Sequence, residues 1–225
     1  RLTTSGAHTK TITGIGFSNN LNLYAANSYP TTRAGMSSAI TVTTAAGRSA
    51  EFTTAQGMMA GQIAAKFNKE LGHFGLDAVT SNKLEIYDLP NGRLQFDMLG
   101  NNSTASAIDV TISNKDTTAL AAQINSKSEE TGITAVVSGS GSILLNKSDG
   151  SDISLKNFSI ASGTISARQI NKFGEKIQTS PITIATGKHV VSGGQVEIRS
   201  PSSFSLIYNS VTQSSSASSF DDGFV

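Results

Sequence analysis

The chain of 225 residues has no cysteine, no tryptophan and only four prolines. The absence of cysteine excludes disulfides, thiolate nucleophiles and cysteine-ligated metal sites, and it is a weak indication of export. No apolar run approaches the ~20 residues that a membrane-spanning helix needs, so no membrane partner is expected. Because the chain opens at Arg1 without an initiator Met or a visible signal peptide, we expect a segment of a longer protein.

Charge is also scarce, at 15% of residues, with 17 Lys and Arg against 16 Asp and Glu and a net charge of +1. No basic stripe is present, so nucleic acid is not an expected partner. Ser and Thr together supply about a quarter of the residues. Thr packs well on pleated sheets, and Ser, Gly and Asn form turns, so this composition favours β-structure.

Residues that commonly carry catalysis are scattered. None of the three histidines, His8, His73 and His189, sits in a spaced ligand motif, and no zinc-protease His-Glu-x-x-His signature is present. His73 follows the expected end of a helix, where a cation favours the helix dipole. Gly14-Ile15-Gly16 stops short of a dinucleotide fingerprint and is interpreted as a bend. We therefore predict no enzyme, with no catalytic, cofactor-binding or metal-binding residues.

Two groups of carboxylates are candidate calcium ligands. Calcium loops need several oxygens in an ordered Asp and Asn pattern with a final Glu. Asn146, Ser148, Asp149 and Asp152 imitate that pattern only faintly, and the pair Asp221-Asp222 stands alone near the end. Turn formation is the preferred interpretation of the first group.

Two stretches share three blocks of sequence in the same order. The blocks at 63–68 and 75–79 recur at 120–125 and 132–136, in both cases 57 residues later (120 − 63 and 132 − 75). The block at 38–43 recurs 68 residues later (106 − 38), which leaves 11 extra residues in the first copy. We interpret the pattern as a duplicated β-α-β-β unit, at about 38–98 and 106–158.

Each unit is predicted to contain one helix. In the first, an apolar residue recurs every four positions, as Met59, Ile63, Phe67 and Leu71, which gives one stripe for packing against a sheet. In the second, Leu120, Ala121 and Ile124 form a narrower stripe.

The ends of the two helices are predicted from their flanking residues. Thr54 and Thr117 are candidate N-caps, since a Thr hydroxyl can accept an unpaired backbone N–H. Gly72 is predicted to end the first helix in a left-handed conformation, and Gly132 follows the second.

A hairpin with alternating apolar residues is predicted after each helix. In the first copy, Leu84 and Ile86 lead through Pro90-Asn91-Gly92 to Leu94 and Phe96. In the second copy the corresponding pairs lie on either side of Asp149-Gly150; they are Ile143 with Leu145, and Ile153 with Leu155. Asn-Gly and Asp-Gly favour tight hairpin turns.

The sequence therefore predicts an α+β fold with short antiparallel sheets and a β-rich terminal segment. The expected divisions are 1–100 (first unit with N-terminal strands near Ile12 and 21–24), 101–180 (second unit) and 181–225. Strands are expected at 182–184, 195–198 and 204–208, one or two helical turns at 169–177, and a Ser-rich linker at 213–219.

The second copy resembles a motif of bacterial flagellins. There a helix ending in Ile-Asn is followed by Thr-Gly-Val-x-Ala, a strand, an Asp-Gly turn and another strand. Here the matching residues are Ile124-Asn125, the segment 131–135 (TGITA) and Asp149-Gly150. The first copy keeps Phe67-Asn68 but has Phe74 in place of the Thr. Related units also occur in hook-associated and filament-cap proteins.

The resemblance implies an outer, surface-exposed segment of a flagellin, a secreted structural protein of the flagellar filament that serves motility. It implies other flagellin subunits as partners and O-linked glycans on exposed Ser or Thr. The assembly helices of that family are absent from this sequence. A hook-associated junction or filament-cap protein remains an alternative, as does a carbohydrate-binding adhesin or phage fibre module, although such modules usually present more aromatic residues than this chain has.

Overall fold

The computed structural model describes residues 2–3, 9–12, 23–26, 37–55, 57–171, 174–177 and 180–212. Antiparallel strands predominate, with a small helical content, so the predicted α+β class is confirmed. No helix among the described residues is long and apolar enough to cross a membrane.

Strands and helices are numbered in chain order. The strands are β1 (Leu2–Thr3), β2 (Thr9–Ile12), β3 (Leu23–Ala26), β4 (Ser37–Thr44), β5 (Ser49–Thr54), β6 (Asp77–Tyr87), β7 (Gly92–Leu99), β8 (Ser106–Ile112), β9 (Thr134–Gly139), β10 (Ser142–Lys147), β11 (Ile153–Ile160), β12 (Ile165–Gln169), β13 (Ile182–Ile184), β14 (His189–Ser192), β15 (Gln195–Arg199) and β16 (Phe204–Thr212). The helices are α1 (Ala60–Leu71), α2 (Thr118–Ser126) and α3 (Ser128–Thr131), with a 3₁₀ turn at Gly72–Phe74.

The chain divides into two compact units. Unit 1 comprises Arg1–Leu21, Thr32–Thr80 and Gly194–Val225, and unit 2 comprises Asn22–Thr31 and Ser81–Gly193. These boundaries do not coincide with the divisions expected at 100 and 180. The difference arises because β6 is one continuous strand that passes from unit 1 into unit 2 after Thr80.

Unit 1 contains one antiparallel sheet in the order β1-β16-β4-β5, and a second set of strands in which β15 pairs with both β2 and β6. Helix α1 contacts β5 and β15. One buried cluster joins these elements, with Ile40 from the first sheet, Phe67 from the helix and Ile198 from the second set. Phe52 and Phe67 meet edge to face, with ring centroids 5.1 Å apart, a favoured aromatic geometry.

Unit 2 is a sandwich of two antiparallel sheets. One sheet has the order β3-β14-β11-β7-β8, and the other has β13-β12-β6-β10-β9. Both sheets contribute to a single buried cluster, with Phe96 and Leu155 from the first and Ile86 and Leu145 from the second. β8 is the edge strand of one sheet and β9 is the edge strand of the other. Helix α2 lies between them in the sequence and contacts both. Its buried residues are Leu120, Ala121 and Ile124, as predicted.

Neither predicted hairpin forms. β6 and β7 lie in different sheets of unit 2, and so do β10 and β11. The turns at 88–91 and 148–152 therefore carry the chain from one sheet to the other. Leu89 explains the first crossing, because it is 1% exposed and its N–H donates to the carbonyl of Gly141. Leu89 belongs to the buried cluster of unit 2, so its burial holds this connection against the core that the two sheets share.

The first helix begins later than predicted. Thr54 is the last residue of β5, and the N-cap of α1 is Met59, whose N–H donates to Oε1 of Gln62 at 2.8 Å. Ile63, Phe67 and Leu71 are buried as expected, but Met59 is 37% exposed. The 11 extra residues of the first copy lie between its strand and its helix, and β5 forms in this part of the chain. The strand that leads into α1 is therefore β5 and not β4.

The end of the first helix also differs from the expectation. Gly72 is right-handed, with a φ of −58°, and the left-handed residue is Gly75, with a φ of 76°. The 3₁₀ turn at Gly72–Phe74 extends the helix, so the left-handed residue comes three positions later than predicted. In unit 2 the single predicted helix is divided into α2 and α3, and Gly132, with a φ of 70°, directly follows α3.

Of the remaining predictions, β2 and β3 lie near the expected N-terminal strands, and β13, β15 and β16 match the three expected late strands. No helix forms among the described residues of 169–177; Gln169 ends β12, and Ile170 forms a bridge with Lys176. The expected Ser-rich linker at 213–219 lies outside the described residues, as does the bend at Gly14-Ile15-Gly16.

Candidate functional site

The histidines are not brought together. His73 is exposed, with its ring 4.3 Å from that of Phe74. His189 accepts the N–H of Asn157 at its Nδ1 atom, at 3.3 Å. His8 and Asp221-Asp222 lie outside the described residues. Within the described part of the chain, no group of three or more His, Cys, Asp or Glu side chains could hold a metal ion.

The most unusual polar feature is a buried lysine in unit 2. The Lys147 side chain is 1% exposed, although it carries an ammonium group. Its Nζ atom donates to three oxygens: Oδ1 of Asn101 at 2.7 Å, the carbonyl of Thr131 at 3.2 Å and Oδ2 of Asp149 at 3.1 Å. We call these four residues the Lys147 cluster. Three acceptors satisfy all three donors of an ammonium, which is the condition for tolerating its burial.

Sequence periodicity places Lys147 inside. In β10 the inward positions alternate as Ile143, Leu145 and Lys147, and all three are fully buried. This alternation was available from the sequence, because Lys147 stands two residues after Leu145. The turn interpretation of Asn146, Ser148 and Asp149 did not include Lys147.

Two glycines allow the cluster to close. A Cβ atom on Gly132 would lie 2.7 Å from both Nδ2 of Asn101 and Nζ of Lys147. A Cβ atom on Gly100 would lie 2.0 Å from the carbonyl oxygen of Thr131. Both distances are shorter than any tolerated carbon contact, so the backbone approaches the cluster as closely as it does only because these residues are glycine.

Asp149 has the turn role that the sequence favoured. Its Oδ1 atom accepts the N–H of Ser151 at 2.8 Å, while Oδ2 accepts from Lys147. Burial opposes ionisation of this carboxyl, but the hydrogen bonds from Ser151 and Lys147 outweigh burial and lower its pKa. Asp149 is therefore an anion at neutral pH and faces the buried cation.

Thr117 occupies the N-cap position of α2, as predicted, but its hydroxyl accepts no hydrogen bond from the backbone of the helix. Its hydroxyl donates to the carbonyl of Ser142 at 3.0 Å, and the N–H of Thr118 is accepted by Oδ1 of Asp116 at 2.9 Å. The buried Thr117 thus ties the start of the helix to β10, and the neighbouring carboxylate caps the helix.

The outer edge of unit 2 at β9 presents apolar side chains. β9 ends its sheet and, among the described strands, pairs only with β10. Val136 and Val137 are 57% and 47% exposed. Asn125 covers the part of this edge at Ala135: it donates to the carbonyl at 2.8 Å and accepts the N–H at 2.7 Å. Because backbone groups alternate in direction along a strand, those of Val137 point outward like those of Ala135.

The sequence contains three matches to the N-glycosylation acceptor pattern, Asn101-Asn102-Ser103, Asn146-Lys147-Ser148 and Asn157-Phe158-Ser159, and two of the three asparagine side chains are engaged in hydrogen bonds. Asn101 accepts from Lys147, and Nδ2 of Asn157 donates to Oδ2 of Asp97 at 2.7 Å. Both side chains already serve the fold. The expectation of O-linked glycans concerns exposed Ser and Thr instead, and it stays a prediction.

Comparison with known proteins gives little further information. No protein-family model matches the chain, and no curated protein matches it. Among solved structures, it is similar to the D2–D3 domains of the flagellar cap protein FliD from Escherichia coli, with 12% identity and a TM-score of 0.25, over 86% of this chain and 99% of that one. It is also similar to the D1–D2–D3 domains of the same protein, with 11% identity and a TM-score of 0.25, over 94% of this chain and 56% of that one. A TM-score of 0.25 is too low to establish a shared fold.

Proposed function

We propose that this chain is an outer, surface-exposed segment of a flagellar structural protein, and specifically of a filament subunit. The observation that carries the proposal is the flagellin-like motif of the second copy. The residues that define the motif make structural contacts in unit 2. Asn125 forms hydrogen bonds with the backbone of Ala135, and Lys147 donates to the carbonyl of Thr131 and to the carboxylate of Asp149. Gly132 adopts the left-handed conformation between α3 and β9.

The proposed role is mechanical and interfacial, without catalysis. The segment would add a solvated surface, rich in uncharged hydroxyl groups, to an extracellular filament, and its partners would be other copies of the same protein. Nucleic acid and membrane are not proposed as partners. A near-neutral surface limits self-repulsion between packed copies, which suits a polymer of identical subunits.

The edge at β9 is the contact surface that we propose for a neighbouring copy. An unpaired strand edge is a template for pairing with another chain unless it is covered. Asn125 covers it at Ala135, whereas the next outward position, Val137, carries no such cover from α2 and stands beside the exposed Val136.

The function is tested by locating the protein on cells of its source organism. Antibodies raised against the purified 225-residue chain would be applied to intact cells and followed by immunogold electron microscopy. Labelling along the whole filament is expected. Labelling at the filament tip alone would replace the filament role with that of a cap, and labelling at the hook alone with that of a junction protein. Flagella without label would overturn the flagellar assignment.

In-frame deletion of the segment from its gene gives a second readout. A filament role predicts that filaments still form from the remaining protein, with a smaller diameter and altered swimming. Unchanged filaments and swimming would contradict it. Specific hits for the purified chain on a glycan array would instead favour the adhesin or phage-fibre alternative.

A further inference from the structure

We propose that Lys147 and Asn101 form an intramolecular isopeptide bond, in a reaction promoted by Asp149. The amine of Lys147 would replace the side-chain amide nitrogen of Asn101, which leaves as ammonia. This proposal does not depend on the flagellar assignment. It concerns only three side chains of unit 2, of which Lys147 contacts both Asn101 and Asp149.

The reacting atoms are close. Nζ of Lys147 lies 2.7 Å from Oδ1 of Asn101, and since a carbonyl bond is about 1.2 Å long, Nζ can be at most about 3.9 Å from the carbon Cγ that it would attack. Productive attack needs about 3–3.5 Å, which a small rotation of either side chain supplies. Holding two reactants at such a distance converts a slow bimolecular reaction into a much faster intramolecular one.

The surroundings hold the amine in place. Lys147 is fully buried at the end of β10, and the carbonyl of Thr131 fixes its Nζ from another side. The missing side chain of Gly132 provides the space in which Nζ and the amide of Asn101 meet. A lysine on the surface would instead sample many positions and seldom meet one amide.

Asp149 is placed to move the protons. Its Oδ2 atom, 3.1 Å from Nζ, can accept a proton from the ammonium, which frees the nitrogen lone pair for attack on Cγ. The new C–N bond forms as the carbonyl π bond opens to an oxyanion. When the carbonyl re-forms, the bond from Cγ to Nδ2 breaks; Asp149 gives the departing nitrogen the proton that it took from the ammonium, and the second proton of the attacking nitrogen also passes to the departing nitrogen, which leaves as an ammonium ion. The ammonium group and the amide thus become a secondary amide and one ammonium ion, with no oxidant or reductant.

The product would join the two sheets of the sandwich. Asn101 follows β7 of one sheet, and Lys147 ends β10 of the other. The two residues are 46 positions apart in the sequence. A covalent bond between them would close a loop in the unfolded chain and so restrict its freedom, as a disulfide does in proteins that contain cysteine. This chain has no cysteine and therefore cannot form a disulfide.

The test is mass spectrometry of the purified full chain, folded and then incubated for an extended period at mildly alkaline pH. The expected result is an intact mass lower than that of the bare chain by one ammonia molecule, together with a branched proteolytic peptide that contains both Asn101 and Lys147. Recovery of the two residues only in separate linear peptides would overturn the proposal.

Variants separate this reaction from ring closure at Asn101, which also releases ammonia. Lys147→Arg removes the nucleophile and keeps a cation, so the intact mass of this variant should equal the mass calculated from its sequence. If the variant still loses ammonia, the loss comes from ring closure at Asn101, and the proposal is overturned. Lys69→Arg, at an exposed lysine of α1, is the matched control and should behave as the wild type. Asp149→Asn should slow the loss of ammonia at least tenfold. If a variant does not fold, the branched peptide in the wild type still decides.

Discussion

Asn68 binds both backbone groups of Ala78: its Nδ2 atom donates to the carbonyl at 2.8 Å, and its Oδ1 atom accepts the N–H at 2.6 Å. Asn125 makes the same two hydrogen bonds with Ala135. Each Asn lies near the end of a helix, and each Ala lies in the strand that follows. The two pairs are 57 residues apart (125 − 68 and 135 − 78), the same offset as between the sequence blocks at 63–68 and 120–125. The side-chain amide thus imitates a neighbouring strand at one residue.

Replacement of Asn125 by Ala should lower the free energy of unfolding by roughly 1–2 kcal/mol, because two hydrogen bonds to a buried residue are lost. Asn68→Ala should have a similar effect in unit 1. Urea denaturation followed by circular dichroism measures both. Ser140→Ala, in an exposed loop, is the control and should change stability by no more than about 0.5 kcal/mol. Equal effects of the control and Asn125→Ala would show that the amide pairing does not stabilise the unit.

Gly132→Ala should be more destabilising than Gly163→Ala. Both glycines have left-handed backbones, with φ values of 70° and 71°. A Cβ atom on Gly163 would have no neighbour within 4 Å, whereas one on Gly132 would strike Asn101 and Lys147 at 2.7 Å. We expect a loss of about 1 kcal/mol for Gly163→Ala from backbone strain alone, and about 2–4 kcal/mol for Gly132→Ala. Thermal and urea unfolding of the pair would measure the difference, and equal losses would contradict the close packing at Gly132.

Thr117→Val should lower stability by about 1–3 kcal/mol, since it leaves the carbonyl of Ser142 without its donor in a partly buried position. Thr117→Ser keeps the hydroxyl and should recover most of that loss. If Val and Ser behave alike, the hydroxyl does not matter there. The comparison is best made by urea denaturation at neutral pH, where Asp116 still caps the helix.

Acid should weaken unit 2 partly through Asp149. Although burial opposes ionisation, hydrogen bonds from Ser151 and Lys147 hold the pKa of this carboxyl below the ordinary value of an aspartate. Its contribution to stability is therefore fully present above about pH 4 to 5 and is lost as the pH falls through the folded pKa. Asp149→Asn should make the free energy of unfolding less dependent on pH below 4, as measured by urea titrations across that range. An unchanged slope would show that Asp149 has no net stabilising role.

The edge at β9 predicts an effect on assembly without an effect on folding. Replacing both Val136 and Val137 by Lys should weaken self-association of the full-length protein, measured by light scattering or polymer formation, while the melting temperature stays close to that of the wild type. Ile207→Lys, at a residue of β16 that is 38% exposed, is the matched control because β16 lies inside its sheet. An equal loss of association in the control would exclude a specific role for the edge.

The sequence predicted elements better than it predicted their partners. Alternation at Leu84, Ile86, Leu94 and Phe96 correctly indicated which side chains are buried. It contained no information on which sheet each strand joins, because every strand of a sandwich has the same period of two and faces the same core. The Asn-Gly and Asp-Gly turns therefore suggested hairpins where the chain instead crosses between sheets.

The polar cluster was predictable in part. The periodicity of β10 places Lys147 inward, but the acceptors that make its burial tolerable come from residues 16 and 46 positions away. Such distant contacts depend on the packing of two sheets, which no local pattern specifies. Asp149 was assigned correctly as a turn residue because Ser151 lies two positions away, within the range over which local sequence is informative.

The order in which the two units can be completed follows from their chain segments. Most of unit 2 is one continuous stretch, 81–193, and its early strand β3 precedes that stretch. Unit 1 is completed only when β15 and β16, near the far end of the chain, are present, because β15 pairs with β2 and β16 is the second neighbour of β4. A polypeptide delivered from its N-terminus onward would therefore finish the sandwich first and leave β4 paired only with β5, and α1 without its contact to β15, until the last strands arrive. Those early strands need protection from mispairing during that interval.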